Sequence, residues 1–184
     1  MLPERRGVFV RKGSDHRSDL AELGRSSSFA GAQEKAAPLR SAGVKLELGR
    51  RYRFAASHRL HTERLSEEEN ARVFGKCNNP YGHGHNYVLE VSVSGDVDPA
   101  TGMIANLADL DRFVEREVLE VFDHLSMNED VAAFRDVVPT TENLCIEIFE
   151  RLKKFPKAKL ERVRVQETSN NSFEYDGNEK RKRT

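Results

Sequence analysis

Two imidazoles stand at i and i+2 in His83-Gly84-His85. On an extended strand both project from one face, close enough to share an ion. Gly82 and Gly84 give the backbone freedom to approach a ligand. A third imidazole, His58, ends the run RRYRFAASH over residues 50–58 and shares its parity with Tyr52, Phe54 and Ala56. If the two segments pair as strands, three neutral nitrogen ligands converge. Three protein ligands leave one tetrahedral position open, the arrangement of catalytic rather than structural zinc. A lone His-x-His is more often surface or core histidine, so the metal reading depends on His58. His61 is a candidate fourth ligand that would close the site.

Further reactive groups cluster near these histidines in the chain. Cys77 lies six positions before His83 in GKCNNPYGHGH, a loop able to fold back over a metal. A thiol near a dication and Lys76 would have a depressed pKa and act as base or nucleophile. The bland alternatives are a fourth metal ligand or a small buried cysteine. Cys145 sits beside the apolar stripe of a helix and reads as core. Asp123-His124, at the end of another helix, is an adjacent pair able to relay a proton, or a solvated C-terminal cap. Glu167 shares parity with Val163 and Val165. An acid on an apolar face requires a cationic or multi-donor partner. A bound heterocycle with adjacent N–H groups is one; exposure beyond the strand end is the alternative.

These residues need elements to position them. Residues 50–58 and 85–95 alternate apolar and polar, as half-buried strands do. DPATG at 98–102 reads as a turn, with Met103–Ala105 as a short return strand. Asn106 caps a helix whose apolar residues run from Leu107 to Val121 and which ends before Asp123. A second helix follows Pro139, capped by Thr140 or Thr141, with the stripe Leu144, Ile148, Leu152 and Phe155. Leu160–Thr168 alternates again, and a last strand covers 172–175. The pattern predicts an α+β domain, a mostly antiparallel sheet with two helices on one face.

Composition bounds the rest. The 184 residues carry 30 Lys/Arg and 30 Asp/Glu, so overall charge makes no case for nucleic acid. There is no apolar run of membrane-spanning length and no signal-peptide core. With only two cysteines, a disulfide framework is excluded, and a cytoplasmic, reducing location is expected. Residues 1–46 hold nine Lys/Arg against five Asp/Glu without sustained apolar period and read as a disordered extension. The basic tail 177–184 reads as a solubilising end. The compact domain is left as 47–176. Its acidic balance counts against a nucleic-acid-binding protein that works through its basic ends.

Taken in order, FAASHRLH (54–61), FGKCNNPYGHGHNY (74–87), DPATGMIANLADL (98–110), DHLSMN (123–128), TTEN (140–143) and QETSNN (166–171) resemble the 6-pyruvoyl-tetrahydropterin synthase family. The resemblance implies a tunnelling fold: a four-stranded antiparallel sheet backed by two helices. Three such sheets close into a barrel, and two trimers stack as a homo-hexamer with pockets between subunits. It implies one Zn2+ per subunit on His58, His83 and His85, which removes His61 from the ligand set. It implies Cys77, Asp123 and His124 as catalytic residues, Glu167 as the pterin anchor, and Thr140 and Thr141 near the pterin. The implied reaction converts 7,8-dihydroneopterin triphosphate to 6-pyruvoyl-tetrahydropterin with release of triphosphate, with Mg2+ as an accessory ion the sequence leaves open. The sister 6-carboxytetrahydropterin synthases of queuosine biosynthesis take the same substrate. There the cysteine typically precedes His-Gly-His by three residues, whereas NNPYG puts five between Cys77 and His83. A reading of another class is a non-catalytic zinc-stabilised scaffold closed by His61 or Cys77; it leaves Asp123, His124 and Glu167 without a role.

Overall fold

The alternating segments pair. In a computed structural model that describes residues 44–178, β1 (Lys45–His58) runs antiparallel to β2 (His83–Asp96). Phe54 faces Tyr87 across the ladder, and His58 faces His83. β2 pairs antiparallel with β4 (Lys159–Gln166), setting Leu89 against Val165 and Val91 against Val163. β4 in turn pairs with β5 (Ser172–Tyr175). A two-residue strand, β3 (Leu125–Ser126), lies parallel to Ala56–Ser57, so the sheet order is β3-β1-β2-β4-β5. The sheet is therefore mixed and five-stranded rather than four-stranded and antiparallel. Nothing local in Leu-Ser signals β3; it is strand only because β1 offers it an edge.

Alternation sorts the sheet into two faces. Phe54, Tyr87, Leu89, Val91, Val163 and Val165 are buried, while Arg51, Arg53, Arg162 and Arg164 on the opposite parity are exposed. The buried face meets two helical segments. α2 (Leu107–Val114) continues through a π turn (Glu115–Leu119) into α3 (Glu120–Phe122), and Val114, Val118 and Phe122 join the core. α4 (Thr141–Leu152) adds Leu144, Ile148 and Leu152. Asn106 caps α2 by accepting from the Ala108 N–H at 2.8 Å, and Thr140 caps α4 by accepting from Asn143 N–H at 3.3 Å. α2 is tied to β1 by Asp111, which accepts from Arg50 Nε at 2.9 Å, Arg50 Nη2 at 2.7 Å and the Tyr52 hydroxyl at 2.9 Å.

Two local expectations change. Met103–Ala105 is not a strand. Asp98 Oδ1 accepts from Ala100 and Thr101 N–H, and Asp98 N–H donates to the Met103 carbonyl, so the chain closes a turn and then enters the Asn106 cap. The sequence reading also misses α1 (Glu67–Phe74). Its signal is a Ser-x-x-Glu capping box: Ser66 and Glu69 exchange side-chain–backbone hydrogen bonds. The helix has almost no apolar face; its one buried residue is Asn70. No helix among the described residues is long and apolar enough to cross a membrane. The extension read over 1–46 and the tail over 177–184 lie outside the described residues, apart from 44–46 and 177–178.

Asn70 makes the loop before α1 a defined structure. Its amide donates to the carbonyls of Thr62, Leu65 and Ser66 and its oxygen accepts from Thr62 N–H. Replacing it leaves buried carbonyls unpaired, at a cost of about 1–3 kcal/mol. Asn70→Ala is expected to raise amide hydrogen exchange over residues 60–77 while leaving β2 and β4 protected. Uniform loss of protection across the sheet, or none in the loop, would contradict this local role.

Candidate metal centre and active site

The β1–β2 register puts His58 opposite His83, and the two-residue period brings His85 to the same face. The three rings meet edge to face, with centroids 4.7 Å apart for His58–His83, 5.1 Å for His58–His85 and 4.7 Å for His83–His85. Gly82 makes the approach of the two strand ends feasible. It has φ +65°, and a Cβ there would fall 2.9 Å from the His58 carbonyl oxygen. Its freedom thus serves strand packing beside the site, a closer reason than approach to a ligand.

The hydrogen-bond pattern prepares His58 as a ligand. Its Nδ1–H donates to the Pro139 carbonyl at 2.9 Å, which leaves the Nε2 lone pair directed at His83 Nε2, 3.2 Å away. Two nitrogens about 2.0–2.1 Å from one tetrahedral ion stand roughly 3.3–3.4 Å apart, so this spacing fits a shared metal. His85 Nε2 and His83 Nδ1 are buried without a hydrogen-bond partner. Burial, reinforced by the neighbouring imidazoles, pushes both His58 and His83 below the ordinary histidine value against the opposing pull of Glu167. Neutral imidazole is the ligating form.

Two further donors complete the cluster. The Cys77 thiol joins His58 and His83 with all donor atoms within 4.8 Å of one another; Glu167 does the same with His58 and His85. Cys77 is set by a 3-10 turn over Gly75–Asn78 that follows α1, and its carbonyl accepts from Leu60 N–H at 2.8 Å. Glu167 lies just past β4, as one alternative had it, yet its side chain is only 15% exposed. Burial opposes its ionisation. Thr141 Oγ1 at 2.6 Å and Asn171 Nδ2 at 2.8 Å donate to its two oxygens, and with His85 and His58 they outweigh burial and hold the carboxyl below the ordinary range. Asn171 is a participant that the sequence reading did not single out; its place four residues after an inward-facing acid is the signal.

The protein's own groups do not depress the Cys77 thiol. Burial, and then the Glu167 carboxylate, push it up, and Lys76 is exposed. The lowering expected from Lys76 is therefore absent; a cation in the cluster is the remaining source of a thiolate. His61 stays outside the cluster. Its Nδ1 lies 3.0 Å from Asn78 Oδ1 and its Nε2 4.0 Å from Glu67. Cys145 is buried against β4 and β5, as read.

Asp123 and His124 pair with each other but not with the metal cluster. Asp123 Oδ1 accepts from Ala55 N–H at 2.7 Å and lies 3.0 Å from His124 Nδ1. His124 takes the left-handed backbone (φ 61°) as its N–H reaches the Ala55 carbonyl at 2.6 Å. Its side chain is 82% exposed, and among the described residues no hydrogen bond or ring contact joins it to Cys77 or the histidines. Thr140 is the cap of α4, while Thr141 reaches Glu167.

Three converging imidazoles, with a thiol and an anchored carboxylate beside them on this sheet-and-helix frame, make a candidate metal centre. Residues 47–178 match the family model described as 6-pyruvoyl tetrahydropterin synthase, and the chain belongs to that family. It is 50% identical over 132 residues to the 6-pyruvoyl tetrahydrobiopterin synthase of Homo sapiens, covering 71% of this chain and 91% of that one. The solved 6-pyruvoyl tetrahydropterin synthase of Caenorhabditis elegans superposes with a TM-score of 0.70 at 43% identity, over 73% of this chain and 97% of that one. The 6-carboxy-5,6,7,8-tetrahydropterin synthase of Haemophilus influenzae is 30% identical over 121 residues, covering 55% of this chain and 84% of that one.

The direction of the histidine shifts gives a pH dependence. His58 and His83 take up protons less readily folded than unfolded, so below their ordinary value of 6.5 the unfolded chain binds protons that the fold refuses. Glu167, held low, contributes stability above its ordinary value of 4.5 that is lost as pH falls through its folded value. Metal-free protein is expected to melt at lower temperature at pH 5.5 than at pH 7.5, and His83→Asn to flatten that slope. Thermal melts in chelator check this; a wild-type slope of zero or opposite sign would contradict neutral buried imidazoles.

Proposed function

We propose that this protein is a zinc-dependent lyase that converts 7,8-dihydroneopterin triphosphate to 6-pyruvoyl-tetrahydropterin with release of triphosphate. The observation that carries the reading is the convergence of His58, His83, His85, Cys77 and Glu167 on one sheet face. Its names come from the relatives: 6-pyruvoyl synthases match at 50% identity, and the 6-carboxy relative at 30%.

His58, His83 and His85 would hold the ion. When bound, it supplies Lewis acidity that polarises the substrate's side-chain hydroxyl oxygens and makes the neighbouring C–H and O–H groups more acidic. Glu167 anchors the pterin. Thr141 and Asn171 occupy one site on each carboxylate oxygen, which leaves each oxygen a lone pair for adjacent ring N–H groups. Two parallel bonds fix the plane and direction of the ring and so aim its side chain at Cys77. Cys77 removes a side-chain proton. Asp123 holds His124, and His124 passes protons as the side chain tautomerises. The two ring-plane bonds persist through these transfers, so the pterin does not turn.

The exterior position of Asp123-His124 supports a homo-hexameric assembly with sites between subunits. A pair exposed on one copy and not touching its own cluster is placed to serve another copy's cluster. Thr140, at the α4 cap beside Thr141, is assigned to the wall of the pterin pocket. Mg2+ is assigned to the triphosphate, which binds it as free nucleotides do. Both cysteines are free thiols, which supports a reducing, cytoplasmic location.

Incubation of zinc-loaded protein with 7,8-dihydroneopterin triphosphate, followed by mass spectrometry, is expected to give the 6-pyruvoyl product and triphosphate. A 6-carboxy product with acetaldehyde would assign the chain to the sister reaction, and unchanged substrate would restore the scaffold reading. Cys77→Ala is expected to cut turnover by at least about 10²-fold, the scale of a lost proton-transfer group, with zinc content unchanged. Loss of zinc in that variant would make Cys77 a ligand rather than a base.

A further inference from the structure

Arg59 follows the metal ligand His58 directly, and its guanidinium has almost no partner. Its Nε is buried without a hydrogen bond. Among the described residues, the one polar contact of its side chain is Nη2 to His61 Nδ1 at 3.3 Å. That contact competes with another, because His61 Nδ1 also lies 3.0 Å from Asn78 Oδ1. One ring nitrogen can donate to Asn78 or accept from Arg59, not both. Among the described residues no carboxylate lies within ion-pair distance of Arg59. Arg50, Arg51, Arg112, Arg151 and Arg162 each have an acid; Arg59 differs in having its Nε buried as well as unpaired. A half-buried guanidinium with five donors and no counter-charge is an incomplete anion site.

The backbone around it is held firmly. Arg59 N–H donates to Asn128 Oδ1 at 2.7 Å, and Asn128 Nδ2 donates back to the Arg59 carbonyl at 3.0 Å. The next residue, Leu60, donates to the Cys77 carbonyl. Arg59 is thus fixed between a metal ligand and the cysteine turn. It lines a cavity of about 490 Å³ together with His58, His61, Tyr81 and Gly82. The exposed Tyr81 is part of its wall. Glu129 is the acid in its lining. Of the metal-cluster residues, His58 alone lines it.

We propose that Arg59 binds the triphosphate end of the substrate in this cavity. The assignment rests on the pterin triphosphate reading above. Planar, forked N–H donors match phosphate oxygens bidentately. Because the contacts that hold the segment are made by the Arg59 backbone, replacing the side chain leaves them in place.

The test uses the full chain and two fluorescent, unreactive probes, neopterin and neopterin triphosphate, titrated onto zinc-loaded and metal-free protein. Wild type is expected to prefer the triphosphate. Arg59→Gln is expected to lower that preference about 10- to 100-fold, the scale of charge-assisted bonds, with neopterin affinity and melting temperature unmoved. Arg59→Lys should keep part of the preference. Wild type that binds neither probe overturns the pterin reading and this assignment with it. Wild type that binds neopterin but shows no preference for the triphosphate overturns the assignment alone. So does Arg59→Gln that keeps the preference, or that loses both probes equally.

Discussion

The pairing of β1 with β2 in one register is the constraint from which the site follows. His58 lies across from His83, and side chains alternate between the faces of a strand. A slip of one residue would send His58 to the arginine face and Phe54 with it, exchanging core for solvent along the whole ladder. The apolar residues Phe54, Ala56, Tyr87 and Leu89 therefore do more than stabilise the sheet. Their burial fixes the register, and the register places three imidazoles on one face. The Pro139 carbonyl then sets which nitrogen of His58 is free. The ligand set is a consequence of hydrophobic packing plus one hydrogen bond.

Around that register, segments far apart in the chain each contribute one group. The turn after α1 brings Cys77, the end of β4 brings Glu167, and the first residue of α4 brings Thr141 to satisfy it. The electrostatics divide along the same lines. Burial pushes His58 and His83 below the ordinary histidine value and the Cys77 thiol up, while Thr141 and Asn171 help hold Glu167 below the ordinary range despite burial. A site so arranged is ready for a cation and for a ring with N–H groups.

The pieces that reading by pattern did not reach have physical reasons. α1 carries its signal in a capping box, not in periodicity, because its buried residue is a polar Asn70 that organises a loop. β3 has no local preference for strand and exists through Ala56 and Ser57. Asn171 and the bare guanidinium of Arg59 depend on who their neighbours are. Lys76 is adjacent to Cys77 in sequence but exposed, so burial, and then Glu167 ninety residues on, push the thiol up.

What the sequence by itself determined is whatever depends on period and type: the long strands, the two core helices and their caps, the parity that puts His83 and His85 on one face of their strand and His58 with Phe54 and Ala56 on its own, and, through the motif order, the family. Those are short-range properties, written within a few residues. Tertiary structure alone decided which donor atoms stand within reach of one another, that Thr141 and Asn171 hold Glu167, that Asp123-His124 faces outward, and that Arg59 has no counter-charge among the described residues. These depend on distances between segments that only packing brings together, and on burial, which changes the strength of every charge near the site.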